Sequence, residues 1–179
     1  GTVANILDNL IAEGKTEPFI VVTMNNQQYK WKYSEIETDQ IDYIMPYVES
    51  HYNVSTTAEG RAYAGLSMGG ATTSNMLMHH TELFSYYGIW SHANVNGASG
   101  GVEGITSQSV RNHLSSLTVK PKIMLAAGNW DFGLAAVKTF GENLSELGLD
   151  YSYLQVPAAH DWECWQLIFA NAAENFLWK

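Results

Sequence analysis

Ser67 stands at the centre of Gly65-Leu66-Ser67-Met68-Gly69, a Gly-x-Ser-x-Gly pattern between a strand-like apolar run and a helix-like run. A strand, a very tight turn and a helix would push the Ser67 hydroxyl out at the top of a sheet. Gly65 and Gly69 lack a Cβ, so backbone segments can crowd that turn. The helix that follows aims its N-terminus, with its partial positive charge, at the same point. Ser67 is therefore a candidate nucleophile. A plain Gly- and Ser-rich connection would carry the same letters, but the strand before and the helix after favour the chemical reading.

A serine hydroxyl is a poor nucleophile near neutral pH and needs a general base, itself oriented by an acid. In α/β-hydrolases these follow in the order Ser, Asp or Glu, His, on loops after strands. Asp131 follows the Lys122–Ala127 run, and His160 follows the Tyr151–Val156 run. Both would lie at C-terminal strand ends, the edge where open α/β sheets bind ligands. Among the other histidines, His79 and His80 fall at the end of the helix after Ser67, where a cation complements the helix dipole. His92 also follows a strand but precedes the candidate acid. Asp150 precedes a strand and would lie at the wrong edge, while Asp161 suits a helix cap. The N–H of Met68, the residue after the nucleophile, is the expected oxyanion donor. Trp90, Trp130 and Trp162 each fall near a strand end on this edge, where an aromatic face could stack on a flat ligand. Ordinary packing is the plainer account of any one of them.

The elements that must position these residues alternate. Strands are expected at Phe19–Thr23, Arg61–Leu66, Tyr86–Trp90, Lys122–Ala127 and Tyr151–Val156. Helices are expected at Ser34–Tyr52, Gly70–His80, Val110–Leu117, Ala135–Leu147 and Asp161–Trp178. Pro46 should kink or break the first of these. Asn94–Gly104, rich in Gly, Asn and Ser, reads as a surface loop. Strands separated by helices imply a mainly parallel sheet with helices on both faces.

The 179 residues suit one domain. A net charge of −9 disfavours nucleic acid and anionic membranes as partners. The single cysteine, Cys164, excludes an intrachain disulfide and reads as a buried thiol rather than a nucleophile. No apolar run approaches the ~18 residues of a membrane span. No signal peptide opens the sequence, and no metal or cofactor is expected.

Gly65–Gly70, Leu83-Phe84, the Asp131 turn and His160-Asp161-Trp162 together resemble the esterase-D-like carbohydrate esterases, which include feruloyl and acetylxylan esterases. Ile6–Lys15, Glu17–Val22 and Pro46–Glu49 resemble that family's segments ahead of the Ser67 turn. The resemblance spans nearly the whole chain. It implies an acyl-enzyme mechanism with Ser67 as nucleophile, His160 as base and then acid, Asp131 as orienting group and Met68 N–H in the oxyanion hole. It also implies hydroxycinnamoyl esters of a plant cell-wall polysaccharide such as arabinoxylan as substrates, and a secreted enzyme. Acetylxylan or other short-acyl esters, or formylglutathione, are alternative substrates, and a non-catalytic carbohydrate-binding or scaffold domain is the alternative of another class. Such enzymes carry further strands and a second oxyanion donor ahead of the first strand found here. The expectation is that residues 1–179 are the C-terminal part of a longer catalytic domain, or that a partner polypeptide supplies those strands.

Overall fold

The structure, a computed structural model, describes residues 2–30, 32–97 and 101–179. Residues 98–100 of the expected Asn94–Gly104 loop therefore lie outside the described residues; the described parts on either side carry no helix and form none of the sheet's strands. Four strands, β1 (Ala62–Leu66), β2 (Tyr86–Trp90), β3 (Lys122–Gly128) and β4 (Ser152–Val156), form one parallel sheet in the order β1-β2-β3-β4. The helices are α1 (Val3–Ala12), α2 (Tyr33–Asp39), α3 (Met45–His51), α4 (Met68–His79), α5 (Gln108–Ser115), α6 (Leu134–Glu146) and α7 (Trp162–Asn175).

The side-chain period of two along a strand sorts β3 between two cores. Ile123, Leu125 and Ala127 join Met76 and Leu77 of α4, Val110 and Leu114 of α5, and Val137, Phe140 and Leu144 of α6. Met124 and Ala126 join Cys164, Ile168 and Ala172 of α7. With both faces covered, β3 is a continuous apolar run rather than an alternating one. Helix α1 packs on α7 through Leu7 and Leu10 against Ala173. Burying each leucine contributes about 1.5–3 kcal/mol. Helix α4 is buried along Gly70–Met78, with the sheet on one side and Tyr33 and Ile36 of α2 against Ala71 on another.

Between α2 and α3, the chain widens into a π-helical segment, Gln40–Ile44, in which the Met45 N–H reaches the Gln40 carbonyl. Pro46, in the first turn of α3, causes this. It has no N–H for the carbonyl four residues back and its ring crowds that group, and the wider turn relieves the crowding. The expected break at Pro46 thus takes the form of a bulge in a nearly continuous helix. Gly148, at φ +68°, ends α6, and the Leu149 N–H turns back onto the Leu144 carbonyl.

The expected strand at Phe19–Thr23 is not formed. A strand exists only as part of a ladder, and among the described residues the outer edge of β1 pairs with nothing. The β-branched run is instead irregular, with Ile20, Val21 and Val22 exposed and the Phe19 ring against Trp178.

Candidate active site

The parallel register brings Leu66, Trp90 and Ala126 level at one edge of the sheet, with Gly128 beside Val156. The loops leaving β1, β3 and β4 at that edge carry Ser67, Asp131 and His160. Ser67 extends the ladder by one bond, its N–H donating to the Trp90 carbonyl at 3.0 Å. It then turns sharply at φ 55°, ψ −118°, a conformation rarely taken by residues with a Cβ. The turn closes because Gly65 backs onto the Gly69 backbone, where a Cβ would lie 2.2 Å from the carbonyl oxygen. Gly70 does the same against the Trp90 and His92 carbonyls. Gly69 itself faces open space, so the second glycine that the packing demands is Gly70 rather than the expected Gly69.

Although Ser67 occupies the N-cap of α4, its side chain caps nothing. Its Oγ lies 2.8 Å from His160 Nε2, and His160 Nδ1 lies 2.8 Å from Asp131 Oδ1. With Asp131 as a carboxylate, Nδ1–H donates to it and Nε2 is left to accept the Ser67 proton. Asp131 is buried, and its Oδ1 also accepts the Gly133 N–H at 2.7 Å. Its Oδ2 has no hydrogen-bond partner among the described residues. The two loops are stapled together by Asn129 N–H to Val156 carbonyl and Trp130 N–H to Ala158 carbonyl, at 2.8 and 3.1 Å. Asp161 caps α7, accepting the Cys164 N–H at 3.0 Å, which anchors His160 to the first turn of a helix that buries one face, Cys164, Ile168 and Ala172, in the core. The Met68 N–H opens α4 and has no acceptor one turn back in the helix. His92 lies close enough to feel His160 and Asp131; burial first, then His160, lowers its pKa. Burial pushes the Cys164 thiol up to about 11, so it stays a thiol.

The three tryptophans separate. Trp90 is 5% exposed and packs with Met124, Ala126 and Cys164 on the α7 side of the sheet, so the expectation that it meets substrate is corrected. It belongs to an interior strand covered on both faces. Trp130 and Trp162 are 71% and 63% exposed beside the site. Two further rings lie on His160: Phe132, tilted by 31° at 3.9 Å between centroids, and Trp165, edge-on at 5.2 Å. Neither was singled out from the sequence, though Phe132 adjoins Asp131 and Trp165 lies one helical turn past Asp161. A cleft of about 480 Å³ opens between α2, the first turn of α4 and α6, lined by Tyr33, Ala71, His92, Asn94 and Thr139 among others.

Known proteins share this architecture. A CE1 ferulic acid esterase from Anaeromyces mucronatus, solved in complex with ferulic acid, superposes with a TM-score of 0.71 at 25% identity, over 95% of this chain and 70% of that one. An endo-1,4-beta-xylanase/feruloyl esterase of Xylanibacter ruminicola is 35% identical over 99 residues, 51% of this chain and 14% of that protein. Endo-1,4-beta-xylanase Y of Acetivibrio thermocellus is 32% identical over 93 residues, 46% of this chain and 9% of that protein. The matches thus cover a small part of the length of these two curated relatives. Residues 1–176 match the Esterase family. With that match and a parallel α/β-hydrolase-type sheet, the chain belongs to the Esterase family.

Proposed function

We propose that this esterase hydrolyses hydroxycinnamoyl esters, feruloyl above all, on plant cell-wall polysaccharide, through a covalent acyl-serine. The observation that carries the mechanism is the unbroken chain from Ser67 Oγ through His160 to Asp131, at 2.8 Å for each link. Ser67 Oγ attacks the ester carbonyl carbon as His160 Nε2 takes its proton. The Met68 N–H stabilises the oxyanion. Collapse expels the sugar alkoxide, which leaves with the proton from Nε2. Water, deprotonated by the same nitrogen, then attacks the acyl-serine, releasing the acid and restoring Ser67. Asp131 holds the ring in the tautomer that both steps need.

The substrate reading is supported by relatives whose names include feruloyl esterase and xylanase. It is also supported by Trp130 and Trp162, exposed beside the site as stacking surfaces for the acyl ring or a sugar. A polysaccharide substrate places the site of action outside the cell. Further strands outside the described residues complete the sheet at β1 and bring the second oxyanion donor, either from a longer domain or from a partner polypeptide. The unpaired edge of β1 and the exposed Ala64, Ile20, Val21 and Met24 support this.

The test is hydrolysis of a chromogenic feruloyl ester beside the matching acetyl ester, by the native chain and by Ser67→Ala. The feruloyl ester should be the better substrate, and Ser67→Ala should lose about 10³-fold or more in kcat. A Ser67→Ala protein of undiminished rate refutes the mechanism, and an acetyl preference refutes the substrate.

A further inference from the structure

We propose that Phe132 is a positioning residue for His160, with its ring face fixing the tilt of the imidazole and steadying the positive charge it takes on when Ser67 gives up its proton. The proposal rests on the reading of His160 as the general base. The two hydrogen bonds of the imidazole, to Ser67 and Asp131, act in its plane at opposite nitrogens. They leave the ring free to rock about the line joining those atoms. A contact on its face is what stops that motion. Phe132 supplies it, at 3.9 Å between centroids with 31° between planes. Trp165 meets the imidazole nearly perpendicular, at 84°, and is held by its own Nε1–H to Ser91 Oγ at 3.1 Å.

Phe132 is 78% exposed, so core packing does not explain its placement. It belongs to the same turn as Asp131, whose Oδ1 accepts the Gly133 N–H. One turn therefore delivers the acceptor at Nδ1 and the cover over the ring. A cation within about 6 Å of an aromatic face is attracted by the ring quadrupole. The titratable groups around the imidazole are Asp131 and, from the loop after β2, His92; the Asp161 carboxylate is turned onto the Cys164 N–H.

The experiment compares Phe132→Leu with Phe132→Tyr and Phe132→Trp on a chromogenic ester across pH. Leucine keeps an apolar cover but has no ring face. Phe132→Leu should lower kcat roughly 2- to 30-fold, with KM little changed. The acid limb of its kcat/KM profile should move to lower pH, because the charged imidazole has lost its support. Tyrosine and tryptophan should restore both. An unaltered melting temperature shows that each variant folds. Wild-type kcat and pH profile in Phe132→Leu overturn the proposal, and so does a change confined to KM, which makes Phe132 a substrate contact. If Ser67→Ala is inactive while Phe132→Leu is normal, this inference fails and the mechanism stands; an active Ser67→Ala refutes both.

Discussion

Gly65→Ala should damage this esterase far more than Gly69→Ala, although both glycines belong to the same five-residue motif. A Cβ on residue 65 would meet the Gly69 backbone at 2.2 Å from its oxygen, 2.3 Å from its carbonyl carbon and 2.7 Å from its Cα. Real Cβ atoms essentially never come within 3.0 Å, so the start of α4 must retreat by about 0.8 Å at least. No side-chain rotation can absorb this, since the obstacle is backbone. Overpacking of this kind costs about 1–3 kcal/mol, which at about 2–4 °C per kcal/mol for a chain of this size lowers Tm by roughly 2–12 °C. Ser67, the proposed nucleophile, lies between the two glycines, and a shift near 1 Å at a reacting group costs on the order of 10²-fold in rate. At Gly69 a Cβ meets nothing within 4 Å, and in a helix Ala is favoured over Gly by up to about 1 kcal/mol. Gly69→Ala should therefore melt at the wild-type temperature or above. Thermal unfolding and kcat/KM on a chromogenic ester measure both variants. Equal effects at the two positions, or a Gly65→Ala protein of wild-type Tm and rate, refute the close-contact account of the turn.

The Glu37 carboxylate, 3.7 Å from His80, raises the pKa of that histidine above 6.5 against the opposing effect of burial. The stabilisation is complete below pH 6.5 and is lost as pH rises through the raised folded value, so urea unfolding should show wild type losing stability relative to Glu37→Gln over that range; identical pH dependence refutes it. On the proposal that further strands complete the sheet at β1 and bring a second oxyanion donor, the 179-residue chain alone should associate, or hydrolyse esters poorly. Native mass spectrometry showing only a monodisperse monomer, with kcat/KM on a feruloyl ester of about 10⁴ M⁻¹s⁻¹ or more, refutes the missing strands.

The elements around the site were legible because their signals are local. The strand–turn–helix at Ser67, the apolar run of β3 and the glycine stop at Gly148 each announce themselves within ten residues or so. Asp131 and His160 came from chain order and strand ends, which the parallel register then brings level. What misled is non-local. Phe19–Thr23 has the composition of a strand, but pairing needs a neighbour, and composition cannot say whether one is there. Trp90 lies at the right strand end, yet the pleat turns it into the core. Helix α1 went unread although Val3, Ile6, Leu7, Leu10 and Ile11 repeat at helical spacing and pack against α7. Phe132 and Trp165 are visible as ligands of the imidazole only once the loops close on His160.

The backbone at Ser67 carries a consequence for the stability of the chain. A residue with a Cβ held at φ 55°, ψ −118° costs of order 1–3 kcal/mol, in molecules whose whole stability is about 5–15 kcal/mol. Glycine would occupy the same turn without that penalty. Under the proposed mechanism, the exchange that would relieve the turn is the one that removes the nucleophile, so stability and activity pull in opposite directions at this residue. Ser67 instead keeps its hydroxyl turned away from the helix it could cap and toward His160, where the proposed hydrolysis needs it.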